Sequence, residues 1–176
     1  MAGYITEQIV RETWQQMSQT PIEEAPLLVE EMSVDQPYLM GFLLSADEEL
    51  FNQDERETLF YIGMVIWQIM KRGSNHLGKV SRQDIQTAQK ANDDFLELLM
   101  EDTEADFNSA TRSMLDDYPE PEVLRYIVEA VTEVSDDPRE PGFSEENVGM
   151  AFLFLKTALD ALINSQQPDG STGAAS

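Results

Sequence analysis

The chain has 176 residues, 41% of them apolar and 9% aromatic, with 34 acidic residues against 11 lysines and arginines for a net charge of −23. A body of this length buries roughly 70% of its unfolded surface, so it sustains a core without staples, and the absence of cysteine excludes disulfides, thiolate nucleophiles and Cys-based zinc sites. The acidic excess repels phosphate backbones and anionic lipid, which argues against nucleic acid and membrane surfaces as partners.

Met1-Ala-Gly-Tyr4 leads straight into a polar amphipathic segment, without the basic region and apolar stretch of a secretory signal, so a cytoplasmic location is expected. Apolar residues then recur at helical spacing, and no stretch alternates as a half-buried strand would. The expectation is an all-α fold: a compact multi-helix domain of about seven helices over residues 1–164, followed by a disordered tail over 165–176.

The first helix is expected over Thr6–Ser18, with Ile5, Ile9, Thr13 and Met17 on one face and Val10 and Trp14 beside them. Thr20-Pro21 reads as the capped start of a second helix, and Gln36-Pro37 as the start of a third through Leu44. Asp54-Glu-Arg-Glu57 has the form of a capping box opening an apolar helix that ends near Arg72, with Gly73 as terminator. Its apolar run, Leu59–Met70, is interrupted by Gly63 and Gln68 and is too short to cross a bilayer, so it reads as a core helix carrying Trp67.

Ser81-Arg-Gln-Asp84 opens a helix expected to reach about Glu101, with another over Thr103–Asp117. Pro119 and Pro121 bracket the next start, and that helix carries Val123, Tyr126, Ile127, Ala130 and Val134. Asp136–Gly142, with two prolines and a glycine, is expected to be a loop. Ser144 then reads as the cap of a last helix through Asn164, which is apolar on more than one side and hence central.

Pro37-Tyr-Leu-Met-Gly-Phe-Leu-Leu44 resembles Pro121-Glu-Val-Leu-Arg-Tyr-Ile-Val128, and Ile62-Gly-Met64 resembles Val148-Gly-Met150. These matches suggest a duplicated unit over about 4–72 and 80–164. In that reading Gly63 and Gly149 occupy equivalent places where the two central helices approach closely, since a helical glycine costs roughly 1 kcal/mol relative to alanine unless packing offsets it.

Chemistry-bearing residues are few. His76 is the single histidine, so no multi-His metal site exists. It sits in a glycine-flanked segment within the main basic cluster, Lys71, Arg72, His76, Lys79 and Arg82, which is a candidate contact for an acidic partner. Lys71 and Arg72 also complement the C-terminal dipole of their helix. Asp102, Glu104 and Asp106 open like a calcium loop, but Phe107 stands where glycine is needed and Ser113 where glutamate is needed. Asp94, Glu97 and Glu101 share a helix face in the manner of a magnesium-dependent all-α hydrolase, although in a chain with 34 acids such triplets arise by chance and a solvated face is the expected reading.

Trp14, with Met17, Met32, Met40, Met64 and Met70, could line an adaptable apolar groove, against ordinary core filling. Residues 93–146 hold 18 acidic and three basic residues, most of the net charge, which admits an acidic mimic of nucleic acid. The composite expectation is a non-enzymatic interaction module or chaperone-like adaptor with a protein partner, neither nucleic acid nor membrane, and no cofactor. The alternatives are the hydrolase and the mimic.

Overall fold

The computed structural model describes residues 5–74, 77–100, 112, 116–132, 143–144 and 147–166, the side chains of residue 22 and of residues 98–100 excepted. Seven α-helices have their bounds within these residues, and none of the described residues is in a strand. They are α1 (Glu7–Gln19), α2 (Ala25–Asp35), α3 (Pro37–Leu44), α4 (Gln53–Gly73), α5 (Arg82–Met100), α6 (Pro121–Thr132) and α7 (Val148–Asn164), with a 3-10 turn, η1 (Ile22–Glu24), ahead of α2. The expected all-α fold is therefore present. The Thr103–Asp117 helix, the Asp136–Gly142 loop, the Asp102–Ser113 segment and the tail beyond Gln166 fall outside the described residues, apart from 112, 116 and 117.

Local chemistry sets the helix starts. Thr6 caps α1 by accepting the Ile9 N–H at 3.2 Å, and Ser81 and Asp84 exchange reciprocal bonds at 2.9 and 3.1 Å ahead of α5. Two starts differ from expectation. Thr20 closes α1, donating its hydroxyl to the Gln16 carbonyl at 2.9 Å, and α2 begins at Ala25 with Pro26 in its first turn. The capping box of α4 is formed by Asn52 and Glu55, because Glu55 is drawn inward by groups near residue 144. α7 begins at Val148 with no side-chain cap from Asn147, whose amide reaches Leu50 and Glu55, and the expected Ser144 cap falls on residues 145–146, outside the described residues.

α4 and α7 form the centre. Leu59, Val65, Ile66, Trp67, Ile69 and Met70 of α4, and Ala151, Leu155, Leu159 and Leu162 of α7, are almost wholly withdrawn from solvent. The two helices run side by side in the same direction, since contacts join both their starts and their ends. Asn147 donates to Glu55 at 3.0 Å, and Gln166 donates to Ser74 at 3.3 Å, each pair 92 residues apart. Phe51 meets Phe143 edge-on at the same spacing, with ring centres 6.5 Å apart.

The remaining helices pack around this pair in matching fashion. α1 lies on α4 as α5 lies on α7, and α3 lies on α4 as α6 lies on α7; α1 touches α6 as α5 touches α3, and α4 touches α6 as α7 touches α3. Corresponding side chains keep their burial: Ile5 with Val80, Thr13 with Ala88, and Met17 with Asn92. The glycine equivalence expected from the sequence does not hold. The 92-residue register pairs Gly63 with Leu155, and a Cβ on Gly63 would lie 2.6 Å from the methyls of Leu43 in α3, whereas one on Gly149 would meet nothing within 4 Å among the described residues.

Candidate interaction site

α2 is docked through one face and carries apolar side chains on the other as well. It contains Ala25, Pro26, Leu27, Leu28, Val29, Met32 and Val34, yet Met32 alone is fully buried. Its principal contacts are with its chain neighbours, η1 and α3. Leu27 is 64% exposed and Val34 is 67% exposed. Met32, Leu28 and Val29 pack the helix against the core, Leu27 and Val34 face outward, and Gln36 and Lys71 secure its C-terminal end.

Gln36, fully buried, accepts the Val80 N–H at 2.8 Å and donates to the Gly78 carbonyl at 2.9 Å. Lys71 of α4 reaches up to Glu31 at 2.9 Å and Asp35 at 3.3 Å, and its ammonium lies 5.1 Å from the Trp67 ring centre. The hydrogen bond to Glu31 holds the Lys71 pKa above its ordinary value, against a smaller opposing effect of burial.

A cleft opens on either side of these ties. One, of about 260 Å³, lies between α1, the start of α2, and α4; Met17, Leu27, Leu28, Gln68 and Arg72 are among its walls. Trp14, 40% exposed, is next to its wall residue Thr13 in the chain. The second, of about 390 Å³, lies beneath the end of α2 between Val34, Trp67, Lys71, Leu77 and Lys79. A third cleft, of about 480 Å³, is bounded by Leu43, Leu44, Ala46, Arg56, Glu57 and Phe60. There the Arg56 Nε is buried without a hydrogen-bond partner among the described residues.

The basic cluster expected from the sequence is divided. Lys71 and Lys79 share the cleft under the end of α2, Arg72 faces the other cleft and donates to Gln16, and the Arg82 guanidinium lies 5.9 Å from the Tyr38 ring centre. His76 lies outside the described residues. Asp94 and Glu97 are exposed on α5, Glu101 lies outside the described residues, and no three potential metal ligands converge among those described. The methionines do not line a groove together: Met32, Met64 and Met70 are core, and Met17 alone reaches the cleft beside α2.

Two buried polar assemblies were missed in the sequence: each holds one local pair, Lys156–Asp160 and Asn52–Glu55, but the remaining members come from far along the chain. Lys156 donates to Asn92 and Asp160, both at 2.8 Å, and Asn92 donates to Asp160 at 2.9 Å and to Thr157 at 3.1 Å. The Tyr118 hydroxyl also donates to Asp160. Burial, reinforced by the Asp160 charge, raises the Tyr118 pKa far above its ordinary value and keeps it a donor. Glu55, 3% exposed, accepts from the Asn52 and Ser144 amides and the Asn147 side chain. Burial works to raise its pKa, but these donors outweigh it and hold the carboxyl below its ordinary value. Both assemblies are internally satisfied and join helices, which is the work of a scaffold.

No helix among the described residues is long and apolar enough to cross a membrane. Compared with protein-family models, curated proteins and solved structures, the chain shows no significant match.

Proposed function

We propose that this protein is a non-enzymatic interaction module that presents the outer face of α2, with the clefts beside it, to a protein partner. One observation carries the reading: an eleven-residue helix that packs on the core through Met32, Leu28 and Val29 leaves Leu27 and Val34 on its outer face about two-thirds exposed. A helix that short is marginal in water on its own. Burying both side chains would add roughly 3–5 kcal/mol of apolar stabilisation at about 25 cal/mol per Å². The rest of the molecule is suited to hold such a face still, since its buried polar groups are engaged with one another across the halves. The repeated packing of α1–α3–α4 and α5–α6–α7 supports descent of that scaffold from a duplicated unit.

The test is affinity capture from native lysate with the wild-type chain, the Leu27→Ser/Val34→Ser variant, and a Gln89→Ser control on the exposed face of α5. A partner recovered in stoichiometric amount by wild type and control but lost with the α2 variant supports the reading. Recovery that ignores the α2 substitutions refutes it.

A further inference from the structure

The charge pattern of α2 specifies the partner more closely, an argument that rests on the preceding reading of α2 as a docking face. Leu27 and Val34 stand seven residues apart, two turns along one helix face. Between them come Glu30 and Glu31, three and four residues beyond Leu27. Glu31 is turned toward Lys71, while Glu30 is exposed and forms no ion pair among the described residues. Glu23 and Glu24, both exposed, precede the face in η1. From Thr20 to Gln36 there are five acids and no base, and Lys71 offsets part of that charge from below.

An apolar pair at heptad spacing, flanked by unneutralised carboxylates, is half of a helix-to-helix interface. A neutral partner would leave those carboxylates desolvated and unpaired, and an acidic one would be repelled. We infer that α2 docks a basic amphipathic helix, whose aliphatic side chains at seven-residue spacing cover Leu27 and Val34 while its flanking lysines or arginines face Glu30 and the Glu23–Glu24 pair.

The probe is a synthetic helix of about 21 residues, with leucine along one face and lysine flanking it, titrated against the full chain by fluorescence anisotropy at physiological salt. Three further peptides accompany it: a scrambled isomer of identical composition, an isomer with glutamine for lysine, and one with glutamate for lysine. The lysine helix is expected to bind at least tenfold more tightly than each of these. Leu27→Ser/Val34→Ser should weaken it at least tenfold, Glu30→Lys several-fold with a shallower salt dependence, and Gln89→Ser not at all. All of these substitutions are on exposed side chains, so circular dichroism should show unchanged folding.

Equal binding of the scrambled peptide would show attraction to net charge alone and overturn the inference. Equal binding of the glutamine helix, still sensitive to the Leu27 and Val34 substitutions, would overturn it while leaving α2 as a docking face. Indifference of every helix to the α2 substitutions would overturn both.

Discussion

Glu120 accepts the backbone N–H of Ile5 at 2.8 Å, across 115 residues of chain. Gln36 performs the corresponding task for Val80. In both cases the residue just before a helix-opening proline pins the residue just before a helix N-cap in the other half of the molecule. The two solutions differ in charge. Burial raises the Glu120 pKa above its ordinary 4.5, opposed by the Ile5 amide.

A neutral acceptor should therefore serve better at Glu120. A carboxyl whose native pKa is raised stabilises the fold when protonated and loses that contribution as pH rises from about 4.5 through its native value. Glu120→Gln is expected to raise the melting temperature at pH 7 by a few degrees and to show no advantage below pH 4.5. Glu120→Ala should cost about 1–3 kcal/mol at pH 7 by leaving the Ile5 amide unsatisfied. Equal destabilisation by both substitutions in thermal melts would show that the Glu120 charge itself is used.

Glu55 has the opposite sign. Its native pKa is lowered, so its contribution is complete above its ordinary 4.5 and is lost as pH falls through the native value. Glu55→Ala removes a capping-box member and strands the Ser144 amide and the Asn147 side chain, at an expected cost of about 2–4 kcal/mol near neutrality. The difference between wild type and variant in urea melts should shrink as pH is lowered through the acid range. A gap that stays constant from pH 7 to pH 3 would show that the Glu55 carboxylate is not what the fold uses.

The Lys156–Asp160 pair tests the second assembly. Lys156→Met leaves Asp160 as a largely buried charge with Asn92 and Tyr118 as its donors among the described residues, and is expected to cost about 2–4 kcal/mol, a little under the full buried-pair penalty. Adding Asp160→Asn removes that charge while keeping an acceptor for Tyr118, and should recover at least about 1 kcal/mol in a double-mutant cycle. Strictly additive losses would mean that the two groups are not energetically coupled.

The glycines discriminate between propensity and packing. Gly149→Ala meets open space in the first turn of α7 and should stabilise by about 0.5 kcal/mol. Gly63→Ala must displace the methyl groups of Leu43, and the overpacking, about 1–3 kcal/mol, should outweigh the gain in helix propensity. The check is the sign of the change in chemical denaturation, which should differ between the two variants.

The helices were legible because each announces itself within a few residues: a proline ahead of α3, an apolar run in α4, the Ser81–Asp84 box before α5. The displaced capping box shows where that locality ends. Asp54–Glu57 and Asn52–Glu55 are both well-spaced pairs, and the choice between them follows from Glu55 being held by Ser144 and Asn147, which lie about half the chain away. The prominence of α2 was hidden for a related reason. Its composition resembles that of a buried helix, and only the folded arrangement leaves Leu27 and Val34 uncovered. The basic cluster was the converse: contiguous in sequence, it is divided by helix geometry between two clefts and a tyrosine ring.

The crossed anchoring of helix entries bears on how the protein is made. When residue 74 has left the ribosome, Ile5 still lacks Glu120, Glu55 still lacks Ser144 and Asn147, and Gln36 has neither Gly78 nor Val80. The early half of the nascent chain therefore carries helices that pack on one another through α4 but whose entries and shared apolar face stay open until α6 and α7 have been synthesised. A chain truncated before α7 is expected to be a client for chaperones and proteases instead of a smaller working domain.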